Sequence, residues 1–322
     1  MITGFLYQEN RLRQVDAAGL KASAALRKGK AHLWVVVRNP TAADIALLSE
    51  RFRLHPTTAE DIASSFTRIK YEEFDNNTVI IFKGIKEVKG VSVKFYTICI
   101  IDGDRYVITV HHKGNDTIEQ LVANPKKVES LIKKGEDHIL HYILDKEVDK
   151  YVELRAVISE DLRAIEEEFV RRQGKEVMGK LFLKEKLILE IKQRIESITD
   201  VCLMLKKPTE NFIQNSLIPY FRDVYDHAVK VNIALKTYLE RINGVRNSYL
   251  SLASNRINES VRVLTIVMAL MMPMTVITGF YGMNVALPYQ HHPQVYLALL
   301  GVMLASVVAM LFVFKRWLAN GQ

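Results

Sequence analysis

Two uncharged apolar segments near the C-terminus constrain this chain more than any other feature of its sequence. They cover residues 263–282 and 295–314, and twelve residues join them. A helix of twenty residues, at about 1.5 Å per residue, spans the ~30 Å hydrocarbon core of a bilayer. The sequence therefore predicts a two-helix membrane hairpin that follows a large polar region.

The placement of charge around this hairpin predicts its orientation. Arg256 and Arg262 precede the first segment, Lys315 and Arg316 follow the second, and residues 283–294 contain no Lys, Arg, Asp or Glu. Basic residues are retained on the cytoplasmic side of a membrane. Residues 1–13 show no signal-peptide pattern. We therefore expect a multi-pass protein of the cell (inner) membrane with both termini in the cytoplasm.

Composition argues against several classes of function. The formal net charge is +8, but Lys and Arg alternate with Glu and Asp along helical stretches, which is typical of a solvated surface. No basic and aromatic module indicates nucleic-acid binding. Cys99 and Cys202 lie in apolar contexts without metal or disulfide spacing. No nucleophile triad, catalytic acid pair or phosphate-binding loop indicates an enzyme.

Hydrophobic periodicity predicts an N-terminal α/β domain followed by long helices, in an α+β membrane protein. The predicted strands are residues 33–37, 78–85, 93–101 and 106–110, with helices at 42–52 and around 58–63. Helices are predicted at 137–172 and 175–205, and one continuous helix from near Pro219 to Gly282. A helix that long has no core of its own, which favours oligomerisation.

These patterns divide the chain into six predicted segments. They are a cytoplasmic α/β and helical domain (1–215), the cytoplasmic part of a long stalk and pore helix (216–262), a first transmembrane helix (263–282), an external loop (283–294), a second transmembrane helix (295–314) and a cytoplasmic basic tail (315–322).

The motif Tyr281-Gly282-Met283-Asn284, at the outer end of the first span, resembles the signature of the CorA-type divalent cation (magnesium/cobalt) transporters, the Gly-Met-Asn motif superfamily. The run Tyr220-Phe221-Arg222-Asp223-Val224-Tyr225-Asp226-His227 resembles a second motif of that family. The resemblance is close over about the last hundred residues. It implies a homopentamer in which the first span of each subunit lines a central pore and Gly282, Met283 and Asn284 form a selectivity filter.

The residues of the first span can also be interpreted physically. One helical stripe begins with an amide, continues through large apolar side chains and ends with small or polar ones. It comprises Asn258, Val261, Leu264, Met268, Met272, Thr275 and Gly279. Such a lining suits Mg²⁺, which loses its hydration shell reluctantly and needs no carboxylate ligands to pass. Packing in the membrane is the alternative role for the methionines, and turn formation for Asn284.

The resemblance also implies a regulatory metal site between cytoplasmic domains of neighbouring subunits. Its carried-over position is Asp223, which shares a helix face with Asp226, and the partner acid is expected near Asp75 of the adjacent subunit. The family usually has an acid where Asn76 stands here. An ion pair of Asp223 with Arg222 is the structural alternative.

The histidines are weaker candidates for metal binding. The loop lacks the acid that many family members carry after Asn284, and has His291 and His292 instead. This pair could contact external zinc, nickel or cobalt, or only solvate the loop. His138 and His141 share a helix face with Asp145, a spacing that zinc can use, although a solvated face explains it equally.

Three functions remain open from the sequence. The first is a passive channel importing Mg²⁺, and also Co²⁺ or Ni²⁺, down the membrane potential, with divalent cations as substrate and regulator and no covalent cofactor. The second is a zinc transporter of the same superfamily, with or without proton coupling. The third is a non-conducting membrane-anchored interaction protein.

Overall fold

The protein is described by a computed structural model, which forms two compact units, Met1–Val245 and Arg246–Gln322. The boundary between them falls inside the predicted stalk segment 216–262. The six predicted segments stay a prediction. Their bounds follow from the expected membrane spans, and a division into compact units does not test those bounds. The described residues are 1–22, 31–64, 67–90, 92–112, 114–172, 174–207, 213–284 and 293–320.

Seven strands form one sheet in the first unit. They are β1 (Ile2–Gln8), β2 (Arg11–Val15), β3 (His32–Arg38), β4 (Lys70–Phe74), β5 (Asn77–Lys89), β6 (Ser92–Gly103) and β7 (Tyr106–His111). The spatial order is β2-β1-β3-β7-β6-β5-β4. Neighbouring strands are antiparallel except β3 and β7, which are parallel.

The four predicted strands are confirmed as β3, β5, β6 and β7, whereas β1, β2 and β4 were not predicted. β2 and β4 lie at the two edges of the sheet, and their sequences RLRQV and KYEEF are rich in charge. Charged residues are common on edge strands because they discourage the unpaired backbone groups of the edge from pairing with another chain. These two strands therefore lack the apolar pattern from which strands are predicted.

The helices predicted from periodicity are also present. The described helices are α1 (Ala17–Ala22), α2 (Ala42–Phe52), α3 (Pro56–Ala63), α4 (Asp116–Val122), α5 (Pro125–Ile132), α6 (Asp137–Arg171), α7 (Lys175–Leu205), α8 (Ile218–Tyr281) and α9 (Pro293–Asn320). α2 begins with a capping box in which Thr41 and Asp44 each accept a hydrogen bond from the other's backbone N–H, as expected for a helix start. A 3₁₀ turn, Asn215–Leu217, precedes α8.

Both faces of the sheet are covered. On one face Val35, Val79 and Ile101 belong to an apolar cluster with Leu48 of α2 and Ile62 of α3. Alternate residues of the same strands point to the other face, where α6 and α7 contact the sheet. Strands buried on both faces appear in sequence as continuous apolar runs, which is why the central strands were predictable.

A buried ionic network fixes α6 to the sheet. Glu147 is fully buried, and its carboxylate accepts hydrogen bonds from the Tyr96 hydroxyl at 2.6 and 2.8 Å and from Lys150 Nζ at 3.1 Å. A Cβ atom at Gly84 of β5 would lie 2.1 Å from a Glu147 carboxylate oxygen. Glycine at this position therefore makes room for a buried charge that its partners compensate.

The second unit has no comparable core. Among the described residues after Ile242, none is buried. Two helical segments, Asn215–Tyr281 and Gln294–Arg316, are long and apolar enough to cross a membrane. The core helix of a soluble protein would be mostly buried, and the apolar windows of these two are not. The predicted architecture of an α/β domain, a long helix and two apolar C-terminal helices is confirmed.

Candidate pore and metal sites

The predicted pore stripe lies on an exposed face of α8. All seven of its residues are exposed, including Leu264 at 57 % and Met272 at 69 %. On the same helix, a different set of residues is partly covered. This set is Ile266, Ala269, Leu270, Pro273, Met274, Ile277 and Tyr281.

The two sets face opposite directions. Met268 and Ile277 are nine residues apart, which is two and a half turns of an α-helix at about 3.6 residues per turn. α9 also has one partly covered face, formed by Val295, Leu299, Met303, Ser306, Val307, Met310 and Phe314. A covered face on each helix is expected where two helices of one hairpin pack together. The stripe is therefore the face of α8 that its own chain leaves uncovered.

Polar backbone and side-chain groups within the apolar part of α8 are largely paired within the helix. Thr265, Thr275 and Thr278 donate their hydroxyl hydrogens to carbonyl oxygens one turn earlier, at 2.8–2.9 Å. Such local pairing of hydroxyl groups is what a lipid-exposed helix requires. Pro273 lies inside the helix and is an exception, because it has no N–H to donate to the carbonyl oxygen of Ala269.

The Gly-Met-Asn motif forms the turn that ends α8. The Gly282 N–H donates to the carbonyl oxygen of Thr278 at 2.9 Å. A Cβ atom at Gly282 would lie 2.8 Å from that oxygen, closer than ordinary contact, so the turn favours glycine by close approach. Asn284 is exposed, which leaves its amide available for hydrogen bonding. His291 and His292 lie outside the described residues.

The acids predicted to regulate are on the surface of the first unit. Asp223 has 68 % of its side chain exposed and lies 3.9 Å from the His227 ring nitrogen, in the same helix. Asp226 is exposed on α8, and Asp75 is exposed in the turn between β4 and β5. Within the described part of the chain, no hydrogen bond or ion pair joins Asp75 to Asp223. Their regulatory roles stay predictions.

The structure brings together a set of metal-binding groups that the sequence did not reveal. Asp145 and Asp149 of α6 and His227 of α8 each offer one ligand atom, and these atoms lie within 4.8 Å of one another. We call them the α6–α8 cluster. Burial, and then the charge of Asp149, raise the pKa of Asp145. A divalent cation at this position would relieve that repulsion.

His141 lies beside the α6–α8 cluster. Its ring makes edge-on contacts with Tyr220 and Phe221, at centroid distances of 5.6 and 5.5 Å. Burial lowers the pKa of His141, which favours the neutral imidazole that binds metals. His141, Asp145 and Asp149 are spaced four residues apart and share one face of α6. The sequence predicted His141 and Asp145 on this face, and the same spacing continued by one helical turn leads to Asp149.

The chain is similar to one protein family over most of its length. The family model described as CorA-like Mg²⁺ transporter protein matches residues 29–316. The cobalt/magnesium transport protein CorA of Thermotoga maritima is 27 % identical over 97 % of this chain and 91 % of its own length.

Two solved structures share the fold. The complete CorA magnesium transporter of Methanocaldococcus jannaschii has a TM-score of 0.76 at 20 % identity, covering 98 % of both chains. The cytoplasmic domain of ZntB from Vibrio parahaemolyticus has a TM-score of 0.61 at 14 % identity and covers 79 % of this chain and 98 % of its own. At these identities the two structures show a shared fold. The match over residues 29–316 shows more: this chain belongs to the CorA-like Mg²⁺ transporter family.

Proposed function

We propose that the protein is a passive channel that imports Mg²⁺ down the membrane potential. The observation that carries this proposal is the stripe of α8, whose exposed residues lie opposite the face covered within the hairpin and end at the exposed amide of Asn284. A face that the same chain leaves uncovered is available to line a shared pore.

Lining a pore requires several copies of the chain. One helix stripe can only form a closed channel when copies are arranged around an axis. The CorA-type resemblance implies five. The apolar side chains at Leu264, Met268 and Met272 would then form rings that gate by excluding water.

The filter would act on a hydrated ion. A ring of Asn284 amides offers carbonyl dipoles and N–H donors to the waters around Mg²⁺, without a charge that would hold the ion. The membrane potential would drive entry with about 4.6 kcal/mol per divalent ion per 100 mV. Both termini would be cytoplasmic, because Arg262 and Lys315 flank the hairpin on one side.

Regulation by cytosolic divalent ions would involve the α6–α8 cluster. Asp145, Asp149 and His227 provide two carboxylates and an imidazole, and Asp223 lies next to His227. A cation bound there would link α6 to the helix that continues into the pore. Asp75 of a neighbouring subunit, and Asp226, remain the further ligands that the sequence predicts.

Metal flux into proteoliposomes at fixed voltage tests the filter. Asn284→Ala should abolish Mg²⁺ uptake while the oligomer remains intact. Gln294→Ala, which removes an exposed amide near the same membrane face, serves as the matched control and should transport normally. Normal uptake by Asn284→Ala would contradict the filter.

The same assay separates the other two functions. Faster Zn²⁺ than Mg²⁺ uptake that depends on a pH gradient would favour the zinc transporter. No flux of any metal, together with capture of a cytoplasmic partner, would favour the membrane anchor.

Titration of cytosolic Mg²⁺ tests regulation. Asp223→Ala and the pair Asp145→Asn with Asp149→Asn should each shift inhibition to higher Mg²⁺. Asp161→Asn, an acid on α6 outside the cluster, should leave the inhibition curve unchanged. An unchanged curve for all the cluster variants would place the sensor elsewhere.

A further inference from the structure

The outer face of α5 carries two pairs of lysines. Lys126 and Lys127 stand in the first turn of the helix, Lys133 and Lys134 follow seven residues later, and Ser130 lies midway between the pairs. Two turns of an α-helix contain about 7.2 residues, so both pairs point in nearly the same direction. All five side chains are exposed. We call the four lysines and Ser130 the α5 lysine face.

The fold holds this face in place. Val128 and Ile132, on the opposite side of α5, are fully buried. Lys133 keeps helical backbone angles, with φ −60° and ψ −28°. The Nζ atom of Lys127 lies 5.2 Å from the centroid of the Tyr142 ring of α6, and this cation–π contact orients the ammonium without neutralising it. The lysines therefore project outward from an anchored helix.

The α5 lysine face differs from the cationic residues on the neighbouring long helices. There, lysines are paired with acids, as in Lys146 with Asp149 at 2.7 Å and Lys180 with Glu168 at 2.8 Å. Among the residues that the structure describes, no carboxylate lies within 4 Å of an ammonium of the α5 lysine face. Four positive charges are thus concentrated on one short helix without an ion-pair partner.

The nearest acids in sequence leave this charge uncompensated. Glu129 is the one acid within α5, and it forms no ion pair with the lysines around it. Glu136 and Asp137, at the start of α6, are buried. The Glu136 carboxylate is hydrogen-bonded to His32, and Asp137 accepts a hydrogen bond from the Gln214 N–H at 2.9 Å. Both acids are therefore bound inside the fold.

The composition of the α5 lysine face argues against a protein partner. Protein interfaces are centred on aromatic and apolar side chains, and lysine is depleted in them. The five positions of the face include no apolar residue. Single-stranded nucleic acid is bound largely by stacking on aromatic rings, and the face offers none.

A membrane surface is also a poor match. Helices that bind membranes insert an apolar face into the lipid, whereas the apolar face of α5 is buried in the fold. Basic clusters that bind anionic headgroups lie directly beside a membrane span. In this chain α6, α7 and most of α8 come between α5 and the first apolar segment.

We propose that the α5 lysine face binds a soluble phosphate chain of the size of a nucleotide triphosphate. A lysine ammonium binds phosphate as a compact point charge and needs no fixed orientation. The two pairs are about 10 Å apart along the helix, and their long side chains can converge on one chain above the small Ser130. This inference goes beyond the proposed function and does not depend on transport.

Calorimetric titration with inorganic tripolyphosphate tests the proposal. The full-length protein is held in nanodiscs of neutral lipid, in buffer free of Mg²⁺. We expect saturable binding of one tripolyphosphate per chain, which weakens as salt is added. Replacing all four lysines by glutamine should weaken binding at least about tenfold, because four charge contacts are lost. Absence of saturable binding by the wild type would overturn the proposal.

A second variant and two other probes make the test specific. Lys230→Gln with Lys236→Gln removes exposed lysines of α8, and this variant should bind like the wild type. Lys126→Gln with Lys133→Gln removes the same charge from the α5 lysine face and should bind more weakly. Equal affinities of these two variants would contradict the site. A polyglutamate peptide and vesicles of phosphatidylserine should both bind more weakly than tripolyphosphate, and tighter binding of either would show that the partner is not a phosphate chain.

Discussion

The two units of the molecule use the same apolar residue types in opposite ways. In Met1–Val245, side chains such as Val36 and Ile143 are fully buried, whereas in Arg246–Gln322 Leu264 is 57 % and Leu304 70 % exposed. The first unit hides its apolar surface from water by itself, which is the main driving force of folding. The second does not, and so its stable surroundings must be lipid or other copies of the chain.

This contrast predicts different outcomes when an apolar residue is replaced by aspartate in each unit. Of all the substitutions considered, we expect these to have the largest effects. Ile143→Asp would bury an unpaired charge in the first unit at a cost of at least about 3–5 kcal/mol, and should prevent folding in water or detergent. Leu304→Asp should leave the first unit folded and instead impair membrane insertion, by roughly 2.5–3.5 kcal/mol at a span centre. Thermal unfolding and carbonate extraction of membranes measure the two effects.

Val157→Asp is the matched control for this comparison. Val157 is on α6, like Ile143, but is 53 % exposed, so its replacement should change stability by less than about 0.5 kcal/mol. If Leu304→Asp inserted normally while Ile143→Asp failed to fold, α9 would not face lipid, and the comparison between the units would be wrong.

Glycine positions sharpen the comparison within the first unit. Gly84→Ala would place a Cβ atom 2.1 Å from Glu147 and 2.4 Å from the Tyr96 ring, and overpacking of this kind costs about 1–3 kcal/mol. Gly179→Ala, on α7 with nothing within 4 Å, should stabilise the helix by about 0.5–1 kcal/mol. Chemical denaturation measures both. If Gly84→Ala changed the free energy of unfolding by the same amount and in the same direction as Gly179→Ala, the Glu147 network would not be rigid.

Acid should weaken the first unit through His111. This side chain is 1 % exposed, and its ring lies 3.4 Å from a Glu119 oxygen without a well-aligned hydrogen bond. Burial lowers the pKa of His111, so the unfolded chain binds a proton that the folded protein does not. Stability is therefore lost as the pH falls below about 6.5, by about 1.4 kcal/mol for each unit of pKa separation.

Comparing His111→Gln with the wild type between pH 7.5 and 5 isolates this contribution. The variant should lose less stability on acidification than the wild type. His32, whose pKa is raised by its hydrogen bond to Glu136, contributes with the opposite sign, so the difference between the variant and the wild type decides the question. Identical pH profiles for His111→Gln and the wild type would rule out His111.

The sequence predicted those parts of the molecule that depend on local pattern. α8 is specified by a long stretch with few helix breakers, and the central strands by apolar runs, so both could be found without tertiary information. The Gly282 turn was predictable for a related reason, since its constraint involves Thr278, four residues earlier.

The α6–α8 cluster escaped prediction because it joins residues distant in sequence. Asp145 and His227 are on helices separated by α7, and only their packing brings them together. The predicted homopentamer and the filter role of Asn284 remain predictions, because both depend on contacts between chains.

Ion pairs on the helices of the first unit give the smallest expected effect. Arg241 of α8 binds Glu166 of α6 through two hydrogen bonds, at 3.0 and 2.6 Å, and both side chains are about two-thirds covered. Arg163 and Glu167 form a pair within α6 that is largely exposed. A partly buried ion pair with two hydrogen bonds contributes more to folding stability than an exposed pair does.

Since Arg241 also lies over the Tyr238 ring, single substitutions would mix two interactions, and double-mutant cycles to alanine are needed. We expect a coupling of about 1 kcal/mol for Arg241 with Glu166 and below about 0.5 kcal/mol for Arg163 with Glu167. Equal couplings would contradict the predicted advantage of the partly buried pair between α6 and α8.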